Sequence, residues 1–562
     1  MKFTEMPYSR PDMEALMAKI RELKDKLVKA ESAAEQLELY KELETAEFDM
    51  YTAEAMVYIR NSVNVHDEFY KSERAFFDEW MPKVSQVSQE FSLALLDSPF
   101  LPELKAELGE HFFSGMEAGL KTFNSSVIDL MAEESALCNQ YQALTGSAKI
   151  EFDGKVLNLS QIGPYTSSPD RETRKAATVA LGNFFDEHRE EFDEIYDKLV
   201  KNRHQQALKL GFKNYAELIY LRKNRPYTME DVAAFRKQVL EVMVPKNAEY
   251  KKQQAEKIGV GDDFKFYDDG FAFPDGNPKP KCTIDESIKL AHQMYTELSA
   301  ETKELFDIMV EQEMFDIAAK PGKRPGGYCA TLFNTGIPFI FANGNGTAGD
   351  IKTLTHEAGH ALAAITGHKN IKYKALSHAC AVGAETHSMG MEFLTSPWHH
   401  LFFGEDTAKY QESHTKDALF FIPYGVIVDY FQELVYTNPD WTPDERNAAW
   451  LELEHQFRPY LDFADLPFFS RGAGWQKQLH IYTIPFYYIE YSLAQTLALQ
   501  IYSLFLQDRE AAWEKYMKFL KVGGTKNIVD TIEYAGLTSP FTPGSIEKVC
   551  QPVWDVVDNL GK

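Results

Sequence analysis

The sequence predicts a mainly α-helical fold with a small β-sheet, and three observations lead to this prediction. The 562-residue chain is 44% hydrophobic and 25% charged, which is the balance of a globular protein. Apolar residues recur at helical spacing over most of the chain, as Leu16, Ile20 and Leu23 do near its start. Strand-like patterns are confined to short regions, so helices should form most of the core.

Helical patterns with few glycines or prolines cover the first 145 residues. They begin near Ser9 and Pro11, which suit a helix cap and a first-turn proline. Residues 149–159 then alternate around Asp153-Gly154, and this pattern predicts a β-hairpin. We therefore expect an N-terminal helical region at 1–165.

A second helical region is expected at 166–562. Helical patterns resume over residues 168–257, and a stretch rich in Gly, Pro and Asp at 260–283 predicts a long loop. Helix is expected again at 285–318 and for most of the chain beyond residue 350.

The main β-like pattern lies between these last two helical stretches. Residues 329–333 and 337–342 have strand character and are separated by a turn. Pro338 cannot donate a backbone hydrogen bond, so the second strand is expected at a sheet edge. An exposed edge can pair with an extended peptide, which makes Phe339 and Ile340 candidate substrate-binding residues. The alternative is an edge strand covered by its neighbours.

Charge and cysteine content exclude several classes of protein. The chain has 84 Asp and Glu against 59 Lys and Arg, a net charge of −25, so neither nucleic acid nor an anionic membrane is expected as a partner. The five cysteines are widely spaced and form no C-x-x-C pair, which fits a reducing compartment. The opening residues contain no signal-peptide core, and the apolar runs are too short to span a membrane. We expect a cytoplasmic location.

One pentad, His356-Glu357-Ala-Gly-His360, has the pattern of a metal site. On a helix, positions i and i+4 lie on one face, so both imidazoles can reach one metal ion. Glu357 can then contact a water on that metal without being a ligand. Asp350 is a suitable N-cap for such a helix. The alternative is a helix that happens to hold two hydrogen-bonded histidines.

The third ligand is expected from a following helix. The positions where some zinc peptidases carry a third histidine hold other residues here, which leaves a glutamate as the better choice. Glu385 is the favoured ligand, with His378 and His387 as rivals. Glu392 lies seven residues later on the same helical face and can orient a ligand histidine from outside the coordination sphere; its alternative is an ordinary surface acid.

Together these segments resemble the oligoendopeptidase F and thimet oligopeptidase family of zinc metallopeptidases. The resemblance rests on residues 350–360, on Glu385 followed by Glu392, on the opening residues 6–12, and on residues 480–491. It implies a mostly helical body divided by a deep channel, in which a zinc-dependent endopeptidase cuts internal bonds of oligopeptides.

The resemblance also implies roles for individual residues. His356, His360 and Glu385 would hold Zn²⁺, and Glu357 would act as general base on the zinc-bound water. Residues 166–562 would then be the metallopeptidase region.

The histidine and tyrosines of residues 480–491 would stabilise the oxyanion. His480 and Tyr491 are the candidate catalytic residues, and Tyr488 is a candidate for substrate binding. Which of Tyr487, Tyr488 and Tyr491 donates to the oxyanion stays open, because aromatic residues at helical spacing also suit a core.

Two other functions compete with hydrolysis. Residues 344–349 match G-x-G-x-x-G after a strand, which is the outline of a dinucleotide site in an NAD-dependent oxidoreductase. No strand–helix alternation follows it and no acid lies about 20 residues further on, so we reject this interpretation. A non-catalytic helical binding protein with a structural metal site is the second alternative, and four protein ligands would favour it.

Overall fold

The computed structural model describes residues 1–560 and confirms the mainly α-helical fold with a small sheet. The chain forms two compact units, each assembled from three separate stretches. Unit 1 contains residues 1–117, 278–411 and 497–539, and unit 2 contains 118–277, 412–496 and the chain from Pro540 onward. The predicted division into 1–165 and 166–562 gives each region one continuous stretch of chain, so these units do not test it and it stays a prediction.

In chain order, the first half of the structure contains α1 (Met13–Lys29), α2 (Ala33–Val63), α3 (Glu68–Leu96), α4 (Leu101–Leu108), α5 (Glu110–Thr122), α6 (Ile128–Gly146), β1 (Ile150–Phe152), β2 (Lys155–Leu157), α7 (Gly163–Thr166), α8 (Arg171–Glu187), α9 (Arg189–Lys209), α10 (Tyr215–Arg222), α11 (Met229–Gln238) and α12 (Val244–Lys257).

The second half contains α13 (Ile284–Leu298), α14 (Ala300–Glu311), β3 (Phe315–Ala318), β4 (Tyr328–Leu332), β5 (Ile337–Gly344), α15 (Ala348–Asn370), α16 (Ala381–Leu394), α17 (His400–Phe403), α18 (Thr407–Thr437), α19 (Pro443–Phe457), α20 (Pro467–Ser470), α21 (Leu479–Thr483), α22 (Tyr488–Gln507), α23 (Arg509–Leu520), α24 (Ile528–Tyr534) and α25 (Ser545–Leu560).

The first helix shows how the apolar pattern builds the core of unit 1. Ile20, Leu23 and Leu27 on α1 are fully buried against the apolar faces of the helices that follow. The helix begins two residues after Pro11, because the Asp12 side chain accepts a hydrogen bond from the backbone N–H of Ala15 at 2.9 Å. Asp12 is therefore the cap, rather than Ser9.

The predicted hairpin is confirmed in unit 2. Strands β1 and β2 pair antiparallel, with Phe152 opposite Lys155. Asp153 and Gly154 both have positive φ, 51° and 69°, as a two-residue type I′ turn requires.

The expected helix at 285–318 was correct only in part. It divides into α13 and α14 at Ser299, whose side chain caps α14 by accepting from the N–H of Thr302. Its last residues form β3, which pairs parallel with β5. Helical periodicity could not reveal this strand because its partner comes from 25 residues further along the chain, with Phe315 opposite Ile340.

The expectation that β5 is an edge strand was wrong. The sheet order is β3–β5–β4, with β4 antiparallel to β5, so β5 is central. Pro338 is tolerated because it lies before the point where β3 begins to pair with β5, so β5 is flanked there by β4 alone. The strand-like alternation of residues 329–333 and 337–342 was correct, but the neighbours of each strand were not readable from it.

One helical run, His400–Thr437, is long and apolar enough to cross a membrane by length and composition. Of its most apolar window, 67% is buried inside the protein, which is equally typical of a core helix. A single helix of this kind gives weak support for a membrane span.

Candidate metal centre

Helix α15 carries both histidines of the pentad on one face. The ring centroids of His356 and His360 are 5.0 Å apart, with the rings nearly perpendicular. The helix begins at Ala348, with Thr347 as N-cap, so it starts earlier than expected. Asp350 lies in the first turn and accepts from the backbone N–H groups of Asn345 and Gly346, at 2.9 and 2.6 Å. These bonds close the glycine-rich loop onto the helix start.

The next helix, α16, packs closely against α15 because the pentad contains a glycine. A Cβ on Gly359 would lie 2.5 Å from the carbonyl oxygen of His387 and 2.7 Å from Cα of Ser388, closer than atoms can approach. The absent side chain therefore lets the two helix backbones meet. This contact brings Glu385 of α16 beside the histidines of α15.

Three side chains converge at this point. One donor atom from each of His356, His360 and Glu385 lies within 4.8 Å of the others. The distance from His356 Nε2 to Glu385 Oε2 is 3.5 Å. Two ligands about 2.1 Å from one tetrahedral ion are roughly 3.4 Å apart, so this spacing fits a shared metal ion.

Glu392 forms a hydrogen bond with one of the two histidines. Its Oε1 lies 2.7 Å from Nδ1 of His356, and its side chain is buried. A carboxylate at this nitrogen holds the proton on Nδ1 and leaves Nε2 free to bind a metal. This contact is compatible with the predicted role of Glu392 in orienting a ligand histidine, and that role stays a prediction.

Glu357 lies beside the cluster without joining it. Its side chain is buried, and its Oε2 has no hydrogen-bond partner among residues 1–560. Burial raises the pKa of Glu357 to about 7; the charge of His356 opposes this rise, and the charges of Glu385 and Glu392 add to it. A carboxylate of this kind can take up and release a proton near neutral pH.

The two histidines are in different electrostatic surroundings. Burial lowers the pKa of His356, but hydrogen bonds and charge from Glu385 and Glu392 outweigh burial and raise it to about 10. Burial, aided by the charge of His356, lowers the pKa of His360 to about 4. A divalent cation would replace the proton that the two carboxylates attract to His356. The donor set of two imidazoles and one carboxylate fits zinc.

The rival ligands lie outside this cluster. The His387 side chain is buried, with its ring 5.5 Å from that of Phe519, and burial lowers its pKa to about 3. The ring of His378 lies 5.8 Å from that of Phe333. In the described part of the chain, the group that can hold a metal contains neither residue.

The structure does not support the proposed substrate contacts of β5. Phe339 and Ile340 are 2% and 0% exposed, and both sides of this strand are already paired. Neither residue lies at a free sheet edge, so the predicted pairing of β5 with a substrate is wrong. Within residues 1–560, β4 has a free edge instead. It follows Gly327, where a Cβ would lie 3.7 Å from Oε1 of Glu357. The paired glycines before β4 were the sequence signal for a close approach.

The histidine and tyrosines of residues 480–491 form a cluster in unit 2. The ring of His480 lies 5.0 Å from that of Tyr488, 5.9 Å from Tyr491 and 6.1 Å from Tyr487. The structure thus brings these four residues together within their own unit. Their catalytic and substrate-binding roles stay predictions.

No sequence pattern indicated the residues whose hydrogen bonds hold this segment in place. Phe486 has a positive φ of 59°, which is unusual for a residue with a side chain. Its N–H donates to Oε1 of Gln432 at 2.9 Å, and its carbonyl oxygen accepts from Arg225. Gln478 bonds to His480 from two residues upstream. No local pattern indicates these partners, because Gln432 and Arg225 are distant in sequence.

Models of one peptidase family match most of this chain. The Peptidase M3 N-terminal domain matches residues 3–123, and Peptidase family M3 matches residues 164–549. A solved structure of a putative oligoendopeptidase F is 42% identical, with a TM-score of 0.89, over 100% of this chain and 99% of that chain.

Curated relatives are more distant. The Oligoendopeptidase F homolog of Borreliella burgdorferi is 22% identical over 495 residues, which cover 82% of this chain and 78% of that protein. The Oligopeptidase PepF of Bacillus subtilis (strain 168) is 21% identical over 287 residues, half of this chain, and the chain spans 42% of its length.

Proposed function

The chain belongs to peptidase family M3, and on that premise we propose that it is a zinc-dependent endopeptidase that hydrolyses internal peptide bonds of oligopeptides. The observation that carries the proposal is the convergence of His356, His360 and Glu385 beside a buried, unpartnered carboxylate oxygen of Glu357. Membership in the family supports peptides as substrates.

The residues of the metal centre have separate roles. His356, His360 and Glu385 would hold the ion, and Glu392 keeps His356 in the tautomer that binds it. When bound, zinc supplies a Lewis acid that polarises the scissile carbonyl and makes water acidic. Glu357 takes the proton of the attacking water and then delivers it to the leaving amine.

Two further steps use residues outside this cluster. His480 and Tyr491 would donate hydrogen bonds to the oxyanion, as the family resemblance implies. The peptide would pair with the free edge of β4 rather than with β5, through its main chain.

Peptides that carry a single N-methyl group test this pairing. They should bind more weakly when the methylated N–H is one that pairs with β4, and normally when it is not. An unchanged KM at every methylated position would contradict the pairing.

The substitution Glu357→Gln tests the proposal directly. It keeps size and burial but removes the base, so cleavage of a quenched fluorescent oligopeptide should fall to background while zinc content stays near that of the parent. Glu311→Gln, at an exposed position of α14, is the matched control and should cleave normally. Cleavage by Glu357→Gln at the parent rate would refute Glu357 as the base.

The same experiment separates hydrolysis from a structural metal site. A structural zinc has four protein ligands, whereas the cluster found in residues 1–560 offers three. Zinc content without any cleavage by the parent chain would favour the binding protein. We further propose a cytoplasmic location, since the acidic composition and sparse cysteines suit a reducing compartment.

A further inference from the structure

Gln478 forms a hydrogen-bonded bridge between Tyr424 and His480, all within unit 2. The Tyr424 hydroxyl donates to Oε1 of Gln478 at 2.8 Å. Nε2 of Gln478 lies 2.9 Å from Nδ1 of His480. Tyr424 lies on α18, and Gln478 immediately precedes α21, the short helix that carries His480. The bridge therefore links one long helix to the imidazole.

The two ends of the Gln478 amide differ in chemistry, and this difference determines the proton position on His480. The amide oxygen accepts hydrogen bonds and the amide nitrogen donates them. Because Tyr424 donates to the oxygen, the nitrogen faces His480 and donates to Nδ1. An Nδ1 that accepts carries no proton, so the single proton of a neutral imidazole lies on Nε2.

We propose that Gln478, oriented by Tyr424, is a positioning residue that fixes His480 as the neutral tautomer protonated at Nε2. His480 is then a hydrogen-bond donor to the substrate rather than a base or a metal ligand. This inference deepens the proposed function and rests on it, because a donor is what a developing oxyanion needs.

The surroundings of His480 agree with a neutral donor. Burial lowers the pKa of His480. Among the ionisable groups near its ring within unit 2 are the phenols of Tyr487, Tyr488 and Tyr491, and the ammonium of Lys223 lies over the Tyr487 ring at 4.9 Å. None of these four carries a negative charge at neutral pH that would stabilise an imidazolium.

The opposite orientation of the Gln478 amide makes the opposite prediction. Its oxygen would then accept from an Nδ1–H of His480, and Nε2 would become an acceptor. Tyr424 would have to accept through its phenol oxygen, which is a weaker acceptor than donor. The two orientations are therefore distinguishable by the protonated nitrogen of His480.

Nitrogen NMR of the full chain with ring-labelled histidine measures this proton directly. The signals of His480 are assigned by comparison with the variant His480→Gln. We expect protonation at Nε2 in the parent and a mixture of both tautomers in Gln478→Met, which removes the polar bridge. Protonation at Nδ1 in the parent would overturn the inference, and the measurement does not depend on peptidase activity.

The variant Gln478→Glu gives a second readout. A carboxylate accepts from Nδ1–H, so His480 would hold two protons at low pH and keep only the Nδ1 proton once it is neutral. The ratio of kcat for the variant to kcat for the parent should therefore fall as pH rises, by about 10²–10³ in total, as when one oxyanion donor is lost.

The exposed substitution Gln456→Glu on α19 introduces the same charge change and should give a ratio near one at every pH. A ratio for Gln478→Glu that is independent of pH, or that rises, would overturn the inference. The failure of the proposed function is separate: it would appear as a parent chain that cleaves no peptide, whereas the NMR result would still decide the tautomer.

Discussion

The metal centre on α15 and α16 and the His480–Tyr491 segment are built in different ways. The metal centre uses two regular helices, whose repeat places His356 and His360 on one face and whose contact at Gly359 adds Glu385. The second segment contains the irregular backbone at Phe486 and depends on individual hydrogen bonds from distant side chains. The two regions should therefore lose function through different kinds of substitution.

The largest effect is expected at the helix–helix contact. Gly359→Ala would place a Cβ 2.5 Å from the carbonyl oxygen of His387, so α16 must move away and Glu385 must leave the histidines. Zinc content and peptide cleavage should both fall to background, with a loss of about 1–3 kcal/mol in the free energy of unfolding.

Gly119→Ala is the matched control, since a Cβ there meets open space. It should leave zinc content unchanged and raise stability by about 0.5–1 kcal/mol. If Gly359→Ala bound zinc as tightly as the parent, the proposed role of the helix contact would be wrong.

The second region should fail without loss of metal. Gln432→Met removes the acceptor of the Phe486 N–H and leaves it unpaired in a buried position, which should cost about 1–3 kcal/mol of unfolding free energy. The displaced tyrosines should reduce kcat by about 10²-fold while zinc content stays normal. Equal loss of zinc and activity would contradict the separation of the two regions; Gln456→Met is the surface control.

Glu392→Ala should weaken the metal centre without destroying it. The substitution removes the carboxylate 2.7 Å from Nδ1 of His356. The affinity for zinc should fall about 10- to 100-fold, because the ligand loses its fixed tautomer. Excess zinc should restore most of the activity, and a zinc titration followed by peptide cleavage measures both effects. An unchanged affinity would make Glu392 an ordinary buried acid.

The pH dependence of cleavage is the mildest test. Glu357 must be ionised to take a proton. Burial raises its pKa to about 7 in the protein without a bound cation. A bound cation stabilises the carboxylate and lowers that pKa. The value of kcat/KM should therefore fall as pH decreases below a midpoint at or under about 7, by about tenfold per pH unit. A profile that shows no such fall at any acidic pH at which the protein stays folded would argue against Glu357 as the base.

Much of the metal centre could be predicted because its residues obey local periodicities. His356 and His360 are four apart, Glu385 and Glu392 are seven apart, and each pair shares a face once a helix forms. The hairpin at Asp153-Gly154 was predictable for the same reason, since two positive-φ residues define its turn. The roles of the metal-centre residues remain proposals to be tested.

Residue spacing along one segment was enough to predict most of the helices, the hairpin and the candidate ligands. The packing of distant segments decided that β5 is central, that Gly359 is where α15 meets α16, and that Gln432 and Tyr424, the latter through Gln478, hold the second segment. Strand neighbours and side-chain hydrogen bonds join residues distant in the chain, and no local pattern encodes which of many partners will be in reach.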